Sequence, residues 1–152
     1  MDDPLEQLYP HLAPGDAADD LTGALSESIV AVKQAFLQAG AATLLAMSAE
    51  LARAFRDGGR LLTMGNGGSS CDAAHVAVEF NHPVTTGRPA LSAIHLGADI
   101  AMLTAVGNDV GFRDVFVRQV VAHGRAGDVL LGLSTSGNSE NLLAAFARAR
   151  RG

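Results

Sequence analysis

The sequence predicts an α/β protein of three layers, αβα, built on a parallel, doubly wound sheet with helices leading into it. Short apolar runs bounded by turn residues lie near 60–64, 91–95 and 128–133. They alternate with stretches of helical spacing near 70–81, 98–106, 112–123 and 139–150. Such alternation implies parallel strands joined by crossover helices on both faces of the sheet. In addition, two strands run straight into small-residue loops, Gly65-Asn66-Gly67-Gly68-Ser69-Ser70 and Ser134-Thr135-Ser136-Gly137-Asn138-Ser139. In sheets of this kind, ligands bind at the carboxyl ends of the strands, where both loops fall.

Residues 1–17 hold three of the five prolines and several acids, and read as an irregular N-terminal arm ahead of one domain over 18–152. Leu21, Leu25, Ile29, Val32 and Phe36 recur at intervals of three and four, the mark of an amphipathic helix. Gly40 is expected to interrupt it. A second helix follows over 41–56, with Leu44, Met47, Leu51 and Phe55 on one stripe, ended by Asp57-Gly58-Gly59. Three strands make a thin sheet, and the last helix stops at Arg151-Gly152. The domain is therefore expected to be incomplete at its C-terminus, short of at least one strand.

Length and composition narrow the function classes. A chain of 152 residues, 48% of them hydrophobic, suffices for one well-buried domain. No run is expected to reach membrane-spanning length, and Met1-Asp2-Asp3-Pro4 has no signal-peptide character, so no membrane partner and a cytoplasmic location are expected. The net charge of −5 and the lack of a Lys/Arg cluster before Arg148, Arg150 and Arg151 argue against nucleic acid. The single cysteine, Cys71, excludes an intrachain disulfide.

The two loops carry the chemistry. A strand, a small-residue turn and a helix N-terminus make an anion site, because unpaired N–H groups and the helix dipole both favour negative charge. The second loop adds the hydroxyls of Ser134, Thr135, Ser136 and Ser139, which suit phosphate oxygens. A dinucleotide fits poorly: Ser70 stands where the fingerprint has its last glycine, and Ile94-His95-Leu96-Gly97 carries no acid. His75 and Glu79, four apart, share a helix face and suit either a common ion or, more simply, a core histidine beside a surface glutamate. Asn108-Asp109 after Gly107 reads first as a turn at a helix C-cap and second as a pair facing sugar hydroxyls. Cys71 reads as a small buried thiol rather than a nucleophile. His82, His95 and His123 have no evident partners.

Five motifs in order, Gly65–Ser69, Cys71-Asp72-Ala73-x-His75-x-Ala77-x-Glu79, Val106-Gly107-Asn108-Asp109-x-Gly111-Phe112, Gly127–Gly132 and Ser134–Ser139, resemble the sugar-isomerase (SIS) domain, and within it the phosphoheptose isomerases. The resemblance implies a flavodoxin-like SIS fold. It implies an isomerase acting on a phosphosugar, sedoheptulose 7-phosphate, through an enediolate. Asn66, Gly67, Gly68, Ser69, Asn108 and Asp109 would meet the sugar. Ser134, Thr135, Ser136 and Ser139 would hold the phosphate. Glu79 would be catalytic and touch substrate, while His75 and Glu79 would be zinc ligands. The family also implies a homotetramer with sites between subunits, and a further C-terminal helix whose glutamine and histidine complete the zinc site. Two other readings share the same loops: a non-catalytic SIS protein that binds a replication initiator, and an isomerase for another phosphosugar. Glu79 favours the enzyme over the first.

Overall fold

A computed structural model of the chain describes residues 18–84 and 87–151. The expected arm over 1–17 lies outside the described residues. The chain forms two compact units, Met1–Ala46 and Met47–Gly152.

Helix α1 runs from Ala18 to Arg56 without a break, 39 residues in place of the two helices expected either side of Gly40. A glycine inside a helix costs about 1 kcal/mol relative to alanine, which many apolar neighbours can outweigh. Here the Phe36 ring lies one turn back, against the site where a Gly40 side chain would begin. The break had also hidden a second property. Unbroken, Leu21–Arg56 is long and apolar enough to cross a membrane by length and composition alone, contrary to the expectation that no run would be. A long helix with an apolar stripe packed on protein has those same properties, and Lys33 and Glu50 lie within this stretch. Leu21, Leu25, Ile29, Val32, Phe36, Leu44 and Met47 on the predicted stripes are all exposed.

The second unit holds the sheet. Strands β1 (Leu61–Gly65), β2 (Ala93–His95) and β3 (Val129–Leu133) pair in parallel in the order β2-β1-β3. Leu61 faces Ala93 on one side and Val129 on the other, and the β1–β3 ladder ends at Gly65 opposite Leu133. β1 is buried along its whole length, as expected of a central parallel strand that reads as a continuous apolar run. Alternate residues serve opposite faces. Leu62 and Met64 enter a core with Val106 of α3 (Ile100–Asp109), Val115, Phe116 and Val120 of α4 (Val115–His123), and Leu142 and Ala145 of α5 (Glu140–Ala149). Leu61 and Ala93 enter the other core with Ala77 and Phe80 of α2 (Gly68–Asn81) and with Leu51 and Phe55 at the end of α1. This is the expected three-layer αβα arrangement.

Boundaries moved where side chains make the local bonds. Asp99 caps α3, its Oδ1 accepting from Met102 N at 2.9 Å. Gly107 does not end that helix. Val110 N and Gly111 N both donate to Val106 O, which keeps Asn108 and Asp109 in the last helical turn and moves the chain reversal to Gly111. The run predicted as a helix over 112–123 opens with a 3₁₀ turn, Phe112–Asp114. At the edge of β2, Asn81 bonds both backbone groups of Ala93, donating to its O at 2.8 Å and accepting from its N at 3.0 Å.

The opposite end of the sheet is tied by charge. Arg60, just ahead of β1, places its Nη2 2.7 Å from Asp128 Oδ2. Its backbone N donates to Asp128 Oδ1 at 2.9 Å, and Arg125 N donates to Oδ2 at 3.0 Å. The side chains are only 18% and 7% exposed. Burial alone would push the Asp128 carboxyl up, but the hydrogen bonds from Arg60 and Arg125 outweigh it and hold the group below the usual carboxylate range. A lowered folded-state pKa stabilises the fold above the unfolded value and loses that contribution as pH falls through the folded one. Arg60→Met, which removes the guanidinium and leaves Asp128 only its two backbone donors, is expected to cost about 2 kcal/mol in denaturant unfolding at pH 7. The gap from the parent should narrow below about pH 4 as Asp128 protonates; a gap independent of pH would refute this account.

Candidate functional site

Parallel pairing brings both small-residue loops to one end of the sheet, since β1 and β3 finish level at Gly65 and Leu133. From there α2 and α5 begin. At the first loop, a side chain on Gly65 would collide with the backbone of Ser69 and Ser70, so the strand end can lie under the first turn of α2 only as glycine. Gly67 is the N-cap, at φ 53°, a conformation that glycine adopts freely. Neither Gly67 nor Ser139, the N-cap of α5, offers a side-chain bond to the first turn of its helix. Both helix starts therefore keep N–H groups for another acceptor.

In the second loop the predicted hydroxyls converge. Ser134 Oγ lies 3.1 Å from Ser139 Oγ and 3.4 Å from Ser136 Oγ. Backbone amides turn inward beside them: Gly137 N donates to Ser134 Oγ at 3.1 Å and Asn138 N to Ser136 Oγ at 3.2 Å. Thr135 and Ser136 are exposed, while Ser134 and Ser139 are half-buried. Those amides orient the hydroxyls, and a hydroxyl cluster within one turn, beside a helix N-terminus, has the donors to hold a tetrahedral oxyanion.

His75 and Glu79 do meet on α2. Nε2 of His75 lies 3.5 Å from Oε1 of Glu79, with the side chains 75% and 42% exposed. A tetrahedral zinc with nitrogen and oxygen ligands at ordinary lengths sets two donors about 3.3 Å apart, so this pair fits half of a zinc ligand set. Among the described residues no third His, Cys, Asp or Glu joins them. Asn108 and Asp109 are exposed in the last turn of α3 and bonded to each other, Nδ2 to Oδ1 at 2.8 Å. Among the described residues neither is bonded to either loop. Cys71, expected to be a small buried thiol, is exposed in the first turn of α2, whose inward face there is taken by Ala73.

Several partners could not be read from spacing. His95, expected to have none, joins β2 to the first loop. Its Nδ1 lies 3.2 Å from Thr63 Oγ1 and its Nε2 3.1 Å from Ser70 Oγ. Thr63 Oγ1 donates its hydrogen to Ala73 O at 2.8 Å. The His95 proton must then sit on Nδ1 and point at Thr63, leaving Nε2 to accept from Ser70. Burial lowers the His95 pKa, more than the backbone of Thr63 raises it, the direction that favours the neutral ring this chain of bonds requires. His82 only closes α2, its N–H bonded to Val78 O, and His123 lends its carbonyl to Arg60.

Asn66, predicted to meet sugar, is paired with Asn141 in the first turn of α5. The two amides bond reciprocally, Asn66 Nδ2 to Asn141 Oδ1 at 3.0 Å and Asn141 Nδ2 to Asn66 Oδ1 at 2.8 Å. Asn141 is 3% exposed, one of few buried polar residues, and nothing in its spacing marks it. A polar residue in the first turn of a helix that starts at the second loop was the available signal.

Known proteins resemble this chain in sequence and fold. The SIS domain family matches residues 26–152. A phosphoheptose isomerase from Desulfovibrio desulfuricans is 44% identical over 90% of this chain and 65% of its own length. One from Chlorobaculum parvum is 51% identical over 71% of this chain and 53% of its own. The chain thus spans between about half and two thirds of these relatives. Among solved structures, phosphoheptose isomerase GmhA from Neisseria gonorrhoeae superposes with a TM-score of 0.77 at 40% identity, covering 88% of this chain and 68% of that one. A phosphoheptose isomerase from Francisella tularensis gives 0.65 at 37%, covering 82% and 69%. With its two loops, its αβα layers and a match over most of its length, this chain belongs to the SIS domain family, and it is similar in sequence and fold to the phosphoheptose isomerases.

Proposed function

We propose that the protein is an aldose–ketose isomerase of sedoheptulose 7-phosphate, giving D-glycero-D-manno-heptose 7-phosphate. The observation that carries this reading is the meeting of two small-residue loops at one sheet end, each opening a helix. A hydroxyl cradle for phosphate opens α5, and a carboxylate, Glu79, sits on the helix that grows from the neighbouring loop. The likeness to phosphoheptose isomerases supports the choice of substrate.

In this reading Ser134, Thr135, Ser136 and Ser139 hold the phosphate remotely, and that binding energy positions the reacting carbons. Asn66, Gly67, Gly68 and Ser69 line the sugar chain, with Asn108 and Asp109 reaching sugar hydroxyls. Glu79 takes the carbon-bound proton beside the carbonyl and returns it at the adjacent carbon, a shift through an enediolate. His75 and Glu79 would hold zinc, which when bound supplies positive charge near the developing oxygen charge. The protein is read as a cytoplasmic homotetramer, whose subunits would cover the apolar stripe of α1. The family match begins at residue 26, inside that helix, which supports reading it as part of the domain.

The zinc-supplied protein is expected to exchange the C1 hydrogen of sedoheptulose 7-phosphate with deuterated solvent, followed by proton NMR. Absence of exchange and of turnover in the folded protein overturns the proposal. Glu79→Gln should cut turnover by about 10²- to 10⁴-fold with the fold intact, as expected for loss of a general base. Ser136→Ala should chiefly raise KM, by about tenfold, because its interaction with phosphate is the same in ground and transition states. A larger loss in kcat than in KM would place Ser136 in the chemistry instead.

A further inference from the structure

Beyond Gly65 and Leu133 the β1–β3 ladder stops, and the two loops continue without backbone bonds to each other among the described residues. What joins them there is the Asn66–Asn141 amide pair, between residues 75 apart in sequence. The orientation of both amides is fixed by a third bond, Leu142 N to Asn141 Oδ1 at 3.1 Å, since turning the pair over would set that N–H against an NH₂ group. Asn141 is 3% exposed and cannot be a surface contact for ligand. Asn66, half-buried, keeps one N–H and one oxygen lone pair free after the pairing.

We infer that Asn141 is a positioning residue: through its two bonds to Asn66 it clasps the first loop to the N-terminus of α5 and so sets the spacing between the sugar-lining loop and the phosphate cradle. This inference rests on the proposed function for what the spacing serves. It also follows from the chain of attachment. Glu79 lies on α2, which grows from the first loop, and the serine cradle opens α5. A ligand held by its phosphate in the cradle presents its carbons to the first loop at a distance set by how far the loops stand apart. Inorganic phosphate, seated in the cradle alone, does not sense that distance. The same clasp makes Asn66 a shared element, bonded to the protein by one N–H and one lone pair and open to sugar with the others.

The test uses the full chain, with Asn141→Leu, which nearly preserves volume but cannot bond Asn66, and with Asn66→Ala and the double variant. Without ligand, ¹⁵N relaxation of Gly67, Gly68 and Ser69 should give order parameters near about 0.85 in the parent and below about 0.6 in Asn141→Leu. Unchanged values, or a parent already mobile there, overturn the clasp. By calorimetry, Asn141→Leu should bind sedoheptulose 7-phosphate about tenfold more weakly than the parent while binding inorganic phosphate within about twofold. The double variant should be no worse than the poorer single one, because both singles break the same link. Equal losses for both ligands overturn the inference and make Asn141 a prop of the cradle alone. A parent that binds phosphate but not the sugar phosphate sinks the proposed function, and the clasp is then judged on the order parameters.

Discussion

Parallel pairing on both sides of β1 is the constraint from which the rest of this structure follows. A strand flanked by parallel neighbours must be buried on both faces, because each crossover lays a helix on the sheet. That burial explains why β1 has no exposed residue and why two cores, not one, fill the unit. It also gives the sheet a direction. Every strand ends on the same side, and the two loops that leave β1 and β3 at one level have no choice but to be neighbours. The Arg60–Asp128 pair secures the opposite ends of the same two strands.

At the carboxyl end, stability and the proposed ligand binding compete for the same groups. A buried polar atom needs a partner, whereas a binding site needs atoms left unpaired. The protein separates the two demands by depth. The deep groups, Thr63, His95, Ser70, Asn66 and Asn141, close on one another in two small networks. The shallow ones, Thr135 and the N–H groups of Gly68 and Ser69 in α2 and of Glu140 in α5, stay open among the described residues. Among the described residues no buried side-chain polar atom lacks a bond, so the cost of an open site is confined to groups that water can reach.

The parts of this fold that depend on periodicity were legible in the sequence. Three strands, the alternation of helices and the placing of both loops at strand ends rest on apolar spacing, which the core then enforces. His75 and Glu79 were legible for the same reason, since four residues of helix fix their proximity. What escaped depends on tertiary partners. Gly40 looks like a stop, but the intrinsic cost of glycine is smaller than what the rest of a long helix supplies. Gly107 resembles a C-cap until Val106 O is seen to hold two amides. Asn141, Asn81 and His95 were invisible as working residues because a reciprocal amide pair or a bridging imidazole leaves no mark on local spacing. The resemblance to a family supplied residue roles, but it said nothing about which of those residues lean on one another.

Asn81 has a meaning beyond the ligand site. In the register of β2, the N–H and C=O of Ala93 face away from β1, and the Asn81 side chain takes both. One primary amide thus imitates the peptide group of an absent neighbour. A bare sheet edge offers its donors and acceptors to any extended segment that drifts past, which is how edge strands recruit other chains into aggregates. Here the end of α2 occupies that template with a single side chain, and Arg88, stacked 5.8 Å from the Phe80 ring, lays a cation alongside it. The helix that carries His75 and Glu79 therefore also guards the rim of the sheet against unwanted company, two tasks fastened to the same fourteen residues.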